Sequence, residues 1–150
     1  MGTGSTLQVW LIVLLIIVVW PLFFLLLWSA ILFFMSAAGG WRRLARTYAT
    51  QEIPFGGRAF PWVSGMVGIA RYNRTLIVTT NAAGIHIKTR RIFRFSHPAL
   101  FIPWGDIRKP QRYSFLRREY ITFDVGAPQL AWMRLDAAVF DGTPVAAALL

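Results

Sequence analysis

Val9–Met35 reads VWLIVLLIIVVWPLFFLLLWSAILFFM, twenty-seven residues without a charge, interrupted only by Pro21 and Ser29. At 1.5 Å per residue a helix of this length spans about 40 Å, against about 30 Å of bilayer hydrocarbon. That is enough for one crossing, tilted or kinked or with its ends emerging among the headgroups, and too little for two. Pro21 removes one helical hydrogen bond and predicts a bend near the middle. Trp10 and Trp41 sit at or just beyond the ends, where amphipathic aromatic rings meet the membrane interface.

The flanks separate an anchor from a signal peptide and give its direction. Ser36-Ala37-Ala38 offers the small residues of a cleavage site. A signal peptide, however, has a basic leader and an apolar stretch of about 7–15 residues. Here residues 1–8 carry no charged side chain and the stretch is far longer, so the expectation is an uncleaved anchor. No Lys or Arg precedes the span, while Arg42, Arg43 and Arg46 follow at once. The positive-inside rule then places the N-terminus outside and the rest of the chain in the cytoplasm; the membrane expected is a bacterial inner membrane, cytoplasmic or intracytoplasmic.

The remainder is basic. Lys plus Arg number 16 against 6 Asp plus Glu, a formal net charge of +10, and only Lys88 and Lys109 among the cations are not arginine. A basic domain tethered to a bilayer meets anionic headgroups, each surface cation contributing about 1 kcal/mol. Nucleic acid is the other polyanion such charge serves, but no nucleic-acid-binding motif appears and none is expected as a partner. The chain has no cysteine, which excludes disulfides, thiolate metal sites and cysteine nucleophiles.

Beyond the span, Gly39-Gly40 predicts a helix stop. Trp41, Leu44, Ala45 and Tyr48 then recur at i, i+3, i+4 and i+7, with Arg42, Arg43 and Arg46 on other faces. This is a short amphipathic helix, either lying on the membrane surface with arginines toward phosphates or packing its aromatic residues on the domain. Residues 51–61, with Pro54, Gly56, Gly57 and Pro61, read as loop. Short strands follow: Val67–Tyr72 and Thr75–Thr80 across an Asn73-Arg74 turn, Ile85–Arg90 continuing through Ile92–Phe95, Leu100–Trp104, Glu119–Val125 and Leu130–Leu135. An apolar tail from Pro144 to Leu150 has helical character. The expected organisation is a short tail (1–8), a transmembrane helix (9–35), a juxtamembrane amphipathic helix and loop (36–61), and a basic β-rich domain (62–150). The fold class is α+β: one N-terminal transmembrane helix plus a small antiparallel β-sandwich or barrel.

The segment His97-Pro98-Ala99-Leu100-Phe101-Ile102-Pro103-Trp104-Gly105-Asp106-Ile107 resembles the strand–loop–strand of bacterial pleckstrin-homology-like (PH-like) domains, and Arg71-Tyr72-Asn73-Arg74-Thr75-Leu76 is similar to their early hairpin in small single-pass membrane proteins. The resemblance implies a seven-stranded sandwich closed by a C-terminal helix, and no common ligand.

Catalytic chemistry is not legible. Glu52, Asp106, Glu119, Asp124, Asp136 and Asp141 are scattered, and His86 and His97 lack a carboxylate at metal-binding spacing. No phosphate loop or nucleophile motif occurs, so neither an enzyme nor a cofactor is expected. The span lacks ionisable groups and instead carries bulk at Trp10, Trp20, Phe24 and Trp28. Trp20 and Trp28 lie away from the interfaces that tryptophan favours. Together with Trp41 these residues are candidates for packing on membrane or partner. Arg42, Arg43, Arg46, Arg90, Arg91, Arg94, Arg117 and Arg118 are candidates for contact with headgroups or an acidic partner. Two functions fit. One is a non-catalytic accessory subunit of a larger bacterial membrane complex, photosynthetic or respiratory in type, with other integral membrane subunits as partners. The other is a membrane-anchored PH-like module binding anionic lipid or an acidic peptide.

Overall fold

The computed structural model describes residues 3–52 and 56–149. Met1, Gly2, Pro54 and Leu150, which belong to the expected tail, loop and terminal helix, lie outside the described residues.

One helix, α1 (Thr3–Ala38), contains the whole apolar run and is continuous through Pro21. It is long and apolar enough to cross a membrane. Gly39-Gly40 ends it as read: Gly40 takes φ +86°, open to glycine at little cost, and the chain turns at once into α2 (Trp41–Tyr48). After α2 come β1 (Arg58–Val67), β2 (Ala70–Thr80), β3 (Gly84–Thr89), β4 (Leu100–Pro103), β5 (Ile107–Phe115), β6 (Arg118–Val125) and β7 (Ala131–Asp136), then the single helical turn α3 (Pro144–Ala147).

The strands form one antiparallel sheet of order β4-β3-β2-β1-β7-β6-β5, curled into a half-barrel. Alternation along β2, β6 and β7 places Leu76, Val78, Ile121, Phe123, Met133 and Leu135 on the concave, buried face. The hollow is filled from both flanks of the sequence. Trp41, Leu44 and Tyr48 enter from α2, and Val139, Phe140 and Val145 enter from the C-terminal segment. The closing element implied by the resemblance, a C-terminal helix, is therefore reduced to one turn, and α2 supplies the larger side chains. The β4 edge is covered by the end of α2, through an Ala49–Leu100 bridge and the Thr50 N–H donating to the Ala99 carbonyl at 2.9 Å. β5 forms the other edge.

Four local expectations change. The β1–β2 turn lies at Gly68-Ile69, not Asn73-Arg74. Asn73 and Arg74 belong to β2, where Arg74 at φ +50° occupies a register shift and donates its N–H to Ser64 Oγ at 3.0 Å. β1 begins at Arg58, inside the expected loop. Residues Arg91–Phe93 form a 3₁₀ turn rather than a strand. β5 was not anticipated at all: nearly every residue in it is exposed, so it shows no buried alternation.

Chain direction sorts the connections into two ends. The β1–β2 turn, the β3–β4 connection (90–99) and the β6–β7 turn share one end, because β1 and β7 are antiparallel neighbours. α1 enters there. The β2–β3 and β5–β6 connections are at the other, and the β4–β5 connection (104–106) bridges the two, from the Ala83 carbonyl to the Gly126 amide.

Candidate functional site

The end where α1 enters is a joint rather than a free tether. Leu32 and Ser36 are 3% and 0% exposed, although the rest of α1 is largely bare. Ser36 Oγ donates to the Ser96 carbonyl at 2.7 Å. Gly39 lies so close to β1 and β2 that a Cβ there would meet Ala70 Cβ at 2.6 Å and the Val67 carbonyl oxygen at 2.8 Å.

Below the joint, Trp41 packs its ring 5.4 Å from Tyr72 and 5.1 Å from His97, and its Nε1–H donates to the Pro98 carbonyl at 3.0 Å. Trp41 is 0% exposed. Of the two readings of α2, the structure takes the one in which the apolar face packs on the domain, which removes Trp41 from the membrane- or partner-contact set. His97 is buried in the same cluster, with Nε2 2.8 Å from Tyr72 Oη and Nδ1 3.2 Å from the Phe93 carbonyl. A neutral imidazole donating from Nδ1 to Phe93 and accepting at Nε2 from the tyrosine hydroxyl satisfies both nitrogens. Burial lowers the His97 pKa from its ordinary value, partly offset by the Phe93 carbonyl. Burial and the nearby Lys88 lower that of His86. On the opposite flank Tyr48 donates to Asp106 Oδ2 at 2.9 Å, and burial together with that carboxylate pushes the phenol up to about 12.

The histidines set a pH dependence. Both bind protons less readily folded than unfolded, so their stabilising contribution is complete above the unfolded value near 6.5. It is lost as pH falls from there through the folded values, by at most about 1.4 kcal/mol per pH unit for each histidine. The thermal midpoint in detergent should be flat from about pH 7.5 to about pH 9, where the tyrosines begin to titrate in the unfolded chain, and fall below about pH 6.5. His97→Gln should flatten that slope, and an unchanged slope would show that His97 is not held neutral.

Against α1 runs the β3–β4 connection. The Phe93 ring is 6.0 Å from Trp28, which also stacks at 6.3 Å on Phe24. Ile92 and Phe95 project outward, 65% and 82% exposed, amid exposed Arg90, Arg91 and Arg94. Arg90 lies over the Trp62 ring at 3.9 Å and Arg42 over Phe33 at 4.6 Å. Phe33, Arg42, Ala45, Arg46, Phe95 and Pro98 line a groove of about 480 Å³ between α1, α2 and this connection. The structure thus brings Trp28, Arg42 and Arg46 to the same end as Arg90, Arg91 and Arg94. Arg43 is exposed on α2. Trp10, Trp20 and Phe24 remain bare on α1, 72%, 69% and 58% exposed.

Arg117 and Arg118 are elsewhere, at the β5–β6 turn on the opposite end. Beside them a pocket of about 220 Å³ opens on the convex face, lined by Arg71, Tyr113, Phe115, Arg118, Tyr120 and Arg134 among others. Arg71 and Arg134 were not singled out from the sequence. Only strand order, which carries β1 next to β7, puts them together. Among the described residues no three His, Asp or Glu side chains gather as a metal site would require. Comparison with family models, curated proteins and solved structures finds no match to the chain.

Proposed function

We propose that the protein is a membrane-anchored, non-catalytic binding module of PH-like type. In this reading α1 crosses the membrane and holds the half-barrel flush against the anionic cytoplasmic leaflet. The observation that carries it is the β3–β4 connection lying along α1 at Trp28. The apolar run exceeds the hydrocarbon by about 10 Å, and the eight residues from Trp28 to Met35 account for about that length. The stretch of span in excess of the hydrocarbon is thus the stretch the domain already covers. With α1 inserted, Ile92 and Phe95 enter the acyl–headgroup boundary while Arg42, Arg46, Arg90, Arg91 and Arg94 meet phosphates, the usual division of an interfacial segment.

The test uses the full chain in nanodiscs of phosphatidylcholine with phosphatidylglycerol. Since the chain has no cysteine, Phe95→Cys takes a single environment-sensitive fluorophore. It should be blue-shifted and quenched by spin labels placed near the headgroups; a water-like spectrum would end the reading. Replacing Arg90, Arg91 and Arg94 by glutamine should lower the preference for phosphatidylglycerol, read by spin-labelled lipid association, by at least about tenfold, since each surface cation contributes about 1 kcal/mol.

A second reading, an accessory subunit of a larger membrane assembly, is favoured by Trp20. Trp28 has a ring partner in Phe93, whereas among the described residues Trp20 has a ring partner only in its own helix neighbour Phe23, at 6.3 Å, and is otherwise 69% exposed in mid-span. Under it the protein should co-migrate with defined partners on a native gel of gently solubilised membranes, and Trp20→Leu should release it.

A further inference from the structure

The convex-face pocket and the β5–β6 hairpin beside it are unused by the lipid reading; the hairpin lies at the end of the sheet away from α1, and the pocket runs from it across the convex face to Met66 and Arg71 beside the β1–β2 turn. Three arginines line the pocket: Arg118 on β6 and Arg134 on β7 toward the hairpin, and Arg71 on β2 at its far side. Two are pre-set. Arg134 lies 4.5 Å above the Tyr113 ring while its Nε donates to Thr122 Oγ1 at 3.3 Å, and Arg71 Nε donates to Asn73 Oδ1 at 3.2 Å. Among the described residues the one ion pair is Arg112–Glu119, so none of the three is neutralised by a carboxylate. Such an arrangement has its terminal donors free and favours planar anions, above all carboxylates, which accept two parallel hydrogen bonds from one arginine.

The pocket adjoins a free sheet edge. β5 has no strand beyond it. Its first half is blunted by Lys109 and Pro110, but Gln111 to Phe115 pair regularly with β6. The turn at Leu116-Arg117 has φ +47° and +64°, the two-residue type that closes on a hydrogen-bonded Phe115–Arg118 pair. Counting back, the Arg112 and Ser114 amides face away from β6, toward the empty side. Phe115 and Leu116 at the tip are 54% and 81% exposed. At the end remote from the anchor, that apolar tip is not accounted for by the bilayer.

We propose that this surface docks an extended, acidic segment of a partner protein on the cytoplasmic side. The segment adds as a strand to β5 and places alternate carboxylates against Arg118 on β6 and against Arg134, whose guanidinium reaches over Tyr113 of β5. Charge decides against a second copy of this chain: pairing two β5 edges would bring Arg108, Lys109, Arg112, Arg117 and Arg118 of each onto the same set in the other. The proposal rests on the lipid reading only for keeping this end clear of the membrane.

The experiment uses the full chain in nanodiscs of neutral phosphatidylcholine, where headgroup charge plays no part. The probe is a fluorescein-labelled nine-residue peptide alternating glutamate with threonine, compared with its glutamine counterpart by anisotropy. The acidic peptide should bind at least about tenfold tighter at low salt and lose most of that margin when the Debye length is shortened to a few Å. Arg118→Gln, at an exposed position, should weaken binding at least about tenfold, as should Arg134→Gln. Arg58→Gln, which removes the same charge at the start of β1, should leave it unchanged. Hydrogen exchange at Arg112 and Ser114 should slow on binding. Equal affinity for the two peptides, or indifference to Arg118→Gln, overturns the proposal. Displacement by millimolar inorganic phosphate alone makes the pocket an anion site and overturns it too. Concentration-dependent dimers that exclude the peptide assign the edge to a second copy. Binding without amide protection overturns the strand addition. None of these outcomes bears on Phe95 in the anionic leaflet.

Discussion

Trp41→Ala should lower the stability of the β-domain by about 3–5 kcal/mol, the range for removing a large aromatic side chain from a closed core. The ring is fully enclosed, contacts both Tyr72 and His97, and donates to the Pro98 carbonyl. Truncation would leave a cavity and an unpaired carbonyl where α2, β2 and the β3–β4 connection meet. Followed by the circular dichroism of the β-sheet in detergent, the midpoint should fall by about 10–30 °C for a domain of this size. Trp41→Phe keeps much of the volume and loses the hydrogen bond, so it should fall between alanine and the native chain. Trp20→Leu is the control: a bare residue on α1 should shift the domain midpoint by less than about 0.5 kcal/mol equivalent. If Trp41→Ala melts within a degree or two of the native chain, α2 does not close the half-barrel. The alternative, in which its aromatic face lies on the membrane, would then be restored.

That choice shows what a single sequence can and cannot carry. The spacing of Trp41, Leu44 and Tyr48 announces an apolar face, and α2 forms over those residues, but periodicity does not name the surface the face meets. A half-barrel with an open hollow and a bilayer are equally good hosts for such a face. α1 was legible because a long uncharged apolar run of the length a bilayer crossing needs stands apart from the rest of the chain, and Gly39-Gly40 because only glycine takes φ +86° cheaply.

The strands divide by burial. β3, β4, β6 and β7 line the core and alternate or cluster accordingly, whereas β5 is an exposed edge whose sequence is written for solvent. Ile92–Phe95 misled in the opposite way. Its alternation is real, but its apolar members serve α1 and the exposed surface rather than a sheet. The arginines were visible as clusters; their division between two ends of the sheet was not, because it depends on β1 pairing with β7 across more than sixty residues of chain.

Gly39→Ala should separate the anchor from the domain. The added Cβ would meet Ala70 Cβ at 2.6 Å and the Val67 and Met35 carbonyl oxygens at 2.8 Å each. Backbone oxygens cannot rotate aside, so relief requires the end of α1 to move away from the β1–β2 turn. Gly68 on that turn is equally tight, since a Cβ there would sit 2.5 Å from the Gly39 carbonyl oxygen. Overpacking of this kind costs about 1–3 kcal/mol. The joint has few other holds: Ser36 on Ser96, Leu32, and Trp28 on Phe93. The strain should therefore be released by undocking rather than by unfolding the sheet. The β-sheet midpoint should drop by less than in Trp41→Ala, while hydrogen exchange at Ser96 and His97 rises and a probe at Phe95→Cys loses its blue shift in anionic nanodiscs. Unfolding of the sheet in step with loss of the joint would mean that α1 is part of the domain's cooperative unit. An unchanged probe would mean that the loop holds the membrane by itself, with Ile92, Phe95 and their arginines sufficient without the helix behind them.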